Sequence, residues 1–147
     1  MFVGVGVSPQ ANLFGGVPLP PEPEQFIING SGATDTDWTK GAGITISGGV
    51  FTWPEGSVSS LSQTMEAAVR AGNSYDVSIA VLDNPSETTV RVTIGAQVVR
   101  NAITASVDTI TFTFIASAAT DQFQIRMPDG DEALGLVLDD ISLVPTP

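Results

Sequence analysis

A chain of 147 residues with sixteen acidic and five basic side chains, a formal net charge of −11, and neither cysteine nor histidine excludes several functions at once. Disulfides, zinc–thiolate centres, cysteine nucleophiles and every mechanism that needs an imidazole base are ruled out. The acid excess also argues against nucleic acid and anionic membrane surfaces as partners, because Lys and Arg are what hold both.

The chain begins with an arm. Residues 1–21 read MFVGVGVSPQANLFGGVPLPP and carry no charged side chain. An apolar, uncharged segment on an acidic body is expected to lie on another protein. Its partner-binding side chains would be Phe2, Val3, Val5, Val7, Leu13, Phe14, Val17 and Leu19. The alternative is a mobile tail, as Pro/Gly-rich termini often are. The segment lacks a basic n-region, and Pro9 and Gln10 interrupt its apolar start, so it does not read as an export signal. No run reaches the length of a membrane-spanning helix. The expected site of synthesis is a cytoplasm. Residues Val17 to Glu24 hold four prolines and should form an extended, semi-rigid spacer. The division is therefore 1–24, arm and spacer, and 25–147, one domain large enough to fold without staples.

In the domain, strands are expected at 25–29, 43–47, 50–53 and 58–65, with a short helix candidate near 64–70. Then the pattern sharpens to a period of two. Tyr75, Val77, Ile79 and Val81 share one face, with Asp76, Ser78 and Ala80 between them. Val90, Val92 and Ile94 alternate with Thr89, Arg91 and Thr93. Ile110, Phe112 and Phe114 alternate with threonines, and Phe123, Ile125 and Met127 alternate with Gln122, Gln124 and Arg126. Each run reads as a half-buried strand with one wet face. Gly, Asn, Asp and Pro mark the turns at 71–73, 83–85 and 128–130. A last strand is expected at 135–144. Many short strands with wet-face alternation mean an all-β, antiparallel sandwich or barrel. Its expected core includes Tyr75, Val77, Ile79, Val92, Phe112, Phe114, Phe123, Ile125 and Ile141.

From Asn29-Gly30 onward the order of landmarks resembles a known family. The landmarks are Trp38, Gly48-Gly49, Ser62-Gln63, Ala71 to Val77, Thr111 to Phe114 and the closing Leu138-Asp139-Asp140-Ile141-Ser142-Leu143. They are similar to the jelly-roll carbohydrate-binding-module fold, in the divergent form common in bacteriophage virion proteins. The resemblance spans about residues 26–144. It implies an antiparallel jelly-roll β-sandwich, to which the composition of residues 1–24 adds an extended N-terminal arm, and it says little about function.

One constellation, in the last strand, carries chemical content, and two other groups of residues invite a chemical reading. In the last strand Val137, Asp139, Ile141 and Leu143 fall on one face, which would bury Asp139 among aliphatic side chains. A buried carboxylate needs a cation or hydrogen-bond donors. The resemblance implies a structural calcium ion on Asp139, the only cofactor considered; backbone N–H groups are the alternative. Asp35 and Asp37 are further ligands by chemistry alone. The Pro128-Asp129-Gly130-Asp131-Glu132 run lacks the spacing of an EF-hand loop and reads as a solvated turn. Trp38 and Trp53 are the candidate glycan-binding residues, since exposed aromatics stack on sugar rings. The alternative for each is core packing.

No nucleophile elbow, phosphate loop or dinucleotide fingerprint is present, so no enzyme is expected. The expected function is a phage virion structural subunit, most of all a capsid decoration or cement protein anchored by its arm. Its partners would be the major capsid protein or other virion proteins, copies of itself, and host-surface glycans, at the virion surface. The alternatives are a tail or fibre accessory subunit and a stand-alone carbohydrate-binding module.

Overall fold

The computed structural model describes residues 17–85, 87, 89–103, 108–127 and 135–147. Among these lie strands β1 (Thr39–Lys40), β2 (Thr45–Ser47), β3 (Val50–Thr52), β4 (Leu61–Val69), β5 (Ser74–Asp83), β6 (Thr89–Ile94), β7 (Gln97–Ile103), β8 (Asp108–Ile115), β9 (Thr120–Arg126) and β10 (Val137–Pro145), and no helix. They form two antiparallel five-stranded sheets. Sheet A has the order β1-β4-β9-β6-β7 and sheet B the order β2-β3-β10-β5-β8. The fold is the expected all-β sandwich.

The alternating runs form the core because period-two spacing puts every apolar side chain on the face turned toward the opposite sheet. Tyr75, Val77, Ile79 and Val81 of β5 are buried, as are Val90, Val92 and Ile94 of β6 and Phe123 and Ile125 of β9. Aromatic rings knit the two layers edge to face: Trp38 to Phe51 at 5.0 Å and Phe26 to Tyr75 at 5.4 Å.

Five readings from the sequence are corrected. The helix candidate near 64–70 is the second half of β4. Pairing with β9 overrides the helix preference of its Met, Glu and Ala residues, and a register shift between Thr64 and Val69 blurs the alternation. Residues 25–29 are not a ladder strand. Phe26 donates its N–H to Leu143 (2.9 Å) and accepts from Glu66 (3.0 Å), so the segment ties one sheet to the other instead of joining either. The buried side chain of Gln63 holds it as well, accepting from Ile28 N–H at 2.8 Å and donating to Ile28 C=O at 2.7 Å. Strand β7, which the sequence reading left without an element, follows β6 through the Gly95-Ala96 turn.

The fourth correction concerns β10. Leu138, Ile141 and Leu143 are buried, while Asp139 is half-exposed. The pairing with β5 shifts register between Asp139 and Ser142, and Asp140 sits at φ 44. This is a β-bulge: it inserts one residue, so both aspartates leave the core and the aliphatic phase resumes beyond them. The expected burial of Asp139 fails for that reason.

The fifth is Phe112, placed in the core by its phase but only partly buried. It sits on β8, an edge strand, and the Arg100 guanidinium covers its ring at 6.0 Å. From β7, Gln97 also reaches the β8 edge, donating to Ile115 C=O (3.0 Å) and accepting from Ser117 N–H (2.9 Å). Side chains of one edge thus cover the other, which blunts strand addition by another chain. Phe112→Ala is expected to cost about 2 kcal/mol, below the ~3–5 kcal/mol of a fully buried ring. Urea denaturation measures it.

Candidate functional site

The polar half of the sheet A alternation makes one continuous surface. β9 lies between β4 and β6, so its outward residues have neighbours on both sides. Gln124 is paired with Ser62 on β4 and with Thr93 on β6. Gln122 is paired with Thr64, and its Nε2 donates to the Thr64 hydroxyl (3.3 Å) and to Asp121 (2.8 Å). Arg126 faces Arg91, which in turn faces Asn101 on β7. Arg91 Nε donates to Asn101 Oδ1 at 2.9 Å. Beneath this layer, Leu61, Ile125 and Val92 form the matching inward row and are buried, which fixes the register of the polar one.

The resulting face carries three planar amides, two guanidiniums and several hydroxyls on rigid strands. Such groups hydrogen-bond polyols, because each amide both donates and accepts and each guanidinium donates in a fixed fork. Glu66 lies toward the opposite end of the face from the arginines.

A second polar feature lies on the outer side of sheet B. A depression of about 530 Å³ is lined by Asp76, Ser78, Thr111, Thr113 and Ser142. It shares Ser78 and Ser142 with another of about 370 Å³ beside Ser31 and Asp140. Its Asp76 carboxylate already accepts from the hydroxyls of Thr113 (2.5 Å) and Thr146 (3.1 Å). The side chains here are short, and the carboxylate is already engaged by these two hydroxyls.

The tryptophans do not form a site. Trp38 is 5% exposed and Trp53 is 0% exposed. Their indole N–H groups donate to Asn29 C=O (3.2 Å) and Ser59 C=O (3.0 Å). Neither ring offers a face for stacking, so the platform expectation is corrected in favour of core packing. Asp139 Oδ1 accepts from the N–H of Asp140 at 2.7 Å, a bond that stabilises the bulge. Among the described residues no group of three or more acidic side chains comes together as a metal site. Asp35 instead pairs with Lys40 at 2.5 Å, and the Lys40 ammonium holds its carboxyl below the usual carboxylate range. The Asp129, Asp131 and Glu132 cluster lies outside the described residues.

Of the proposed arm contacts, Phe2, Val3, Val5, Val7, Leu13 and Phe14 lie outside the described residues. Val17 and Leu19 are exposed. Leu19 lines an apolar groove of about 490 Å³ with Pro20, Pro23, Ala67, Ala68 and Ala119. The spacer is pinned just beyond it. The Tyr75 hydroxyl donates to Glu22 and accepts from Arg70 N–H (2.7 Å), and the Arg70 guanidinium donates to Pro20 C=O. Asn73 Nδ2 donates to Glu22 at 3.2 Å. Desolvation, with the Glu22 carboxylate second, raises the Tyr75 phenol above its ordinary range.

Arg91, Asn101, Gln122, Gln124 and Arg126 were not singled out from the sequence. The available signal was two strands whose wet positions carry long planar polar side chains in place of Ser and Thr.

No protein-family model matches the sequence, and no curated protein does. Solved structures do match in shape. The mannan-binding module from Man5C superposes with a TM-score of 0.60 at 14% identity, covering 78% of this chain and 97% of that one. The N-terminal cellulose-binding domain of Cellulomonas fimi β-1,4-glucanase C gives 0.57 at 20% identity, covering 88% and 99%. An arabinose-bound α-L-arabinofuranosidase gives 0.59 at 11% identity, but the match covers only 26% of that enzyme. The chain therefore has the β-sandwich fold of carbohydrate-binding modules, matched over nearly the full length of the modules themselves.

Proposed function

We propose that this chain is a non-catalytic carbohydrate-binding module and that its ligand lies across the outer face of sheet A. The single observation that carries the reading is the wet row of Ser62, Gln122 and Gln124 with Arg91 beside it: hydrogen-bonding side chains on three adjoining strands of a fold shared with glycan-binding modules. Binding would rest on hydrogen bonds to sugar hydroxyls, since every aromatic side chain among the described residues is buried or, for Phe112, covered by Arg100. Each bond contributes modestly and leaves an expensive unpaired group when lost.

The test is affinity electrophoresis of the full chain through gels containing soluble galactomannan, xylan, β-glucan or polygalacturonate. Retardation by at least one is expected. Gln124→Ala should weaken it about tenfold, with an unchanged melting transition. Thr111→Ala, on sheet B, should leave it unaltered. No retardation by any polymer, or a loss confined to Thr111→Ala, overturns the reading.

A second reading, a virion surface subunit held by residues 1–24, is favoured by the charge-free arm and by the pinned Pro20–Glu22 root, which would transmit force from arm to body. The likenesses of fold add nothing to it. Co-sedimentation with isolated phage particles, lost on deleting residues 1–20, is the outcome that reading requires.

A further inference from the structure

We infer that the apolar groove between the spacer and the end of β4 is the docking site for Leu13 and Phe14 of the same chain, so that the free protein holds its own arm against its body. The groove shares no residue with the polar row of sheet A proposed to hold a glycan.

Leu19, Pro20 and Pro23 line the groove from the spacer, and Ala67, Ala68 and Ala119 line it from the body. The alanines are small, which leaves a space of about 490 Å³ between the two sides. Its two charged lining residues, Glu22 and Arg70, are spent on each other at 3.8 Å and on Tyr75 and Pro20. An uncharged, apolar occupant therefore fits, and a charged one would be desolvated without a partner. The pinned Pro20–Glu22 root also keeps the spacer from closing onto β4 by itself. Leu19 is held 71% exposed, with Val17 88% exposed beside it. Apolar surface fixed in water gains from being covered.

The chain supplies the occupant. Residues 1–21 are its longest run without charge, and they lead directly into the groove through Val17. Leu13 and Phe14 are the nearest large apolar side chains before Val17, separated from it by Gly15-Gly16. A Gly-Gly pair takes the positive φ angles of a two-residue reversal, which other residues resist. Reversal there brings Leu13 and Phe14 back alongside Val17 to Leu19, over the groove. So short a tether gives an effective concentration on the order of millimolar. A second copy competes poorly with that, and because every charge of the chain lies beyond residue 21, two acidic bodies also repel. Any partner that grips the arm must first displace these two side chains.

The test is isotope-edited NMR of the full chain, reading nuclear Overhauser contacts between the Phe14 ring and the methyl groups of Ala67, Ala68 and Ala119. Contacts within one chain are expected, unchanged on dilution. Phe14→Ala should remove the ring-current displacement of those methyl signals. Phe2→Ala, an equally apolar change far from the glycine pair, should leave them in place. Contacts found only between labelled and unlabelled chains, and lost on dilution, overturn the inference in favour of a second copy. Methyl signals that do not move in Phe14→Ala, or no contact between Phe14 and the groove, overturn it whether or not the chain binds a glycan.

Discussion

Replacing Trp53 with alanine is expected to remove about 3–5 kcal/mol of stability, enough to leave the domain close to unfolding at ordinary total stabilities of roughly 5–15 kcal/mol. The indole is wholly buried at the point where β3 leaves sheet B. Its own backbone N–H donates to Leu136 C=O at 2.8 Å, so the side chain and the backbone fasten the same junction. Truncation opens a cavity in the core and strips the Ser59 carbonyl of its indole donor. Trp53→Phe separates the two effects. It keeps most of the packing and loses the bond, for about 1–2 kcal/mol. Urea denaturation of the three chains measures both steps. A glycan-stacking tryptophan would behave in the opposite way, with ligand affinity falling and stability unchanged. A loss below about 1 kcal/mol for Trp53→Ala would mean that the ring is not part of the core.

What the sequence revealed and what it hid follow from where each strand sits. β5, β6 and β9 are central strands with one buried and one wet face, so Tyr75 to Val81, Val90 to Ile94 and Phe123 to Ile125 alternate cleanly. β7 is an edge. Its Val98 is exposed and its Arg100 turns toward Phe112, which inverts the pattern a strand is recognised by. β10 carries its information in a bulge, and a bulge cannot be seen by counting residues: one inserted position moves Asp139 from the core side to the rim. The candidate site was half legible. The wet face of β9 shows in Gln122, Gln124 and Arg126, but their importance depends on β4 and β6 lying on either side, and those strands are far away in sequence. Adjacency of that kind is set by the sandwich topology, not by local spacing. The tryptophans illustrate the converse. Residue type suggested a binding platform, and packing against Phe51 and Phe123 decided otherwise for Trp38.

Gly30→Ala is the second substitution expected to act strongly, and it tests the joint on which the β10 bulge depends. A Cβ at this position would lie 1.9 Å from the Ile141 carbonyl oxygen and 3.0 Å from its carbon. Those are backbone atoms, which cannot rotate aside as a side-chain tip can. Gly30 is also bound there, since its own C=O accepts from Ile141 N–H at 2.9 Å. Adding a methyl group must therefore push residues 26–32 off β10 and stretch that bond. Overpacking costs about 1–3 kcal/mol and the bond a further ~1 kcal/mol, giving an expected loss near 3 kcal/mol. The displacement should spread, because Phe26 bonds both Leu143 and Glu66, and Ile28 is clamped at N–H and C=O by Gln63. Hydrogen exchange should then accelerate at Phe26, Ile28 and Ile141 together, while β6 and β9 keep their protection. Gly48→Ala is the matched control: its φ of 63 carries the usual left-handed strain, but nothing lies within 4 Å of the added methyl. That change should cost about 1 kcal/mol and leave exchange at Phe26 and Ile28 unaltered. If the two variants proved equally stable, the 26–32 segment would be yielding freely, and the close seat of Gly30 on Ile141 would not be what holds the bulge in register.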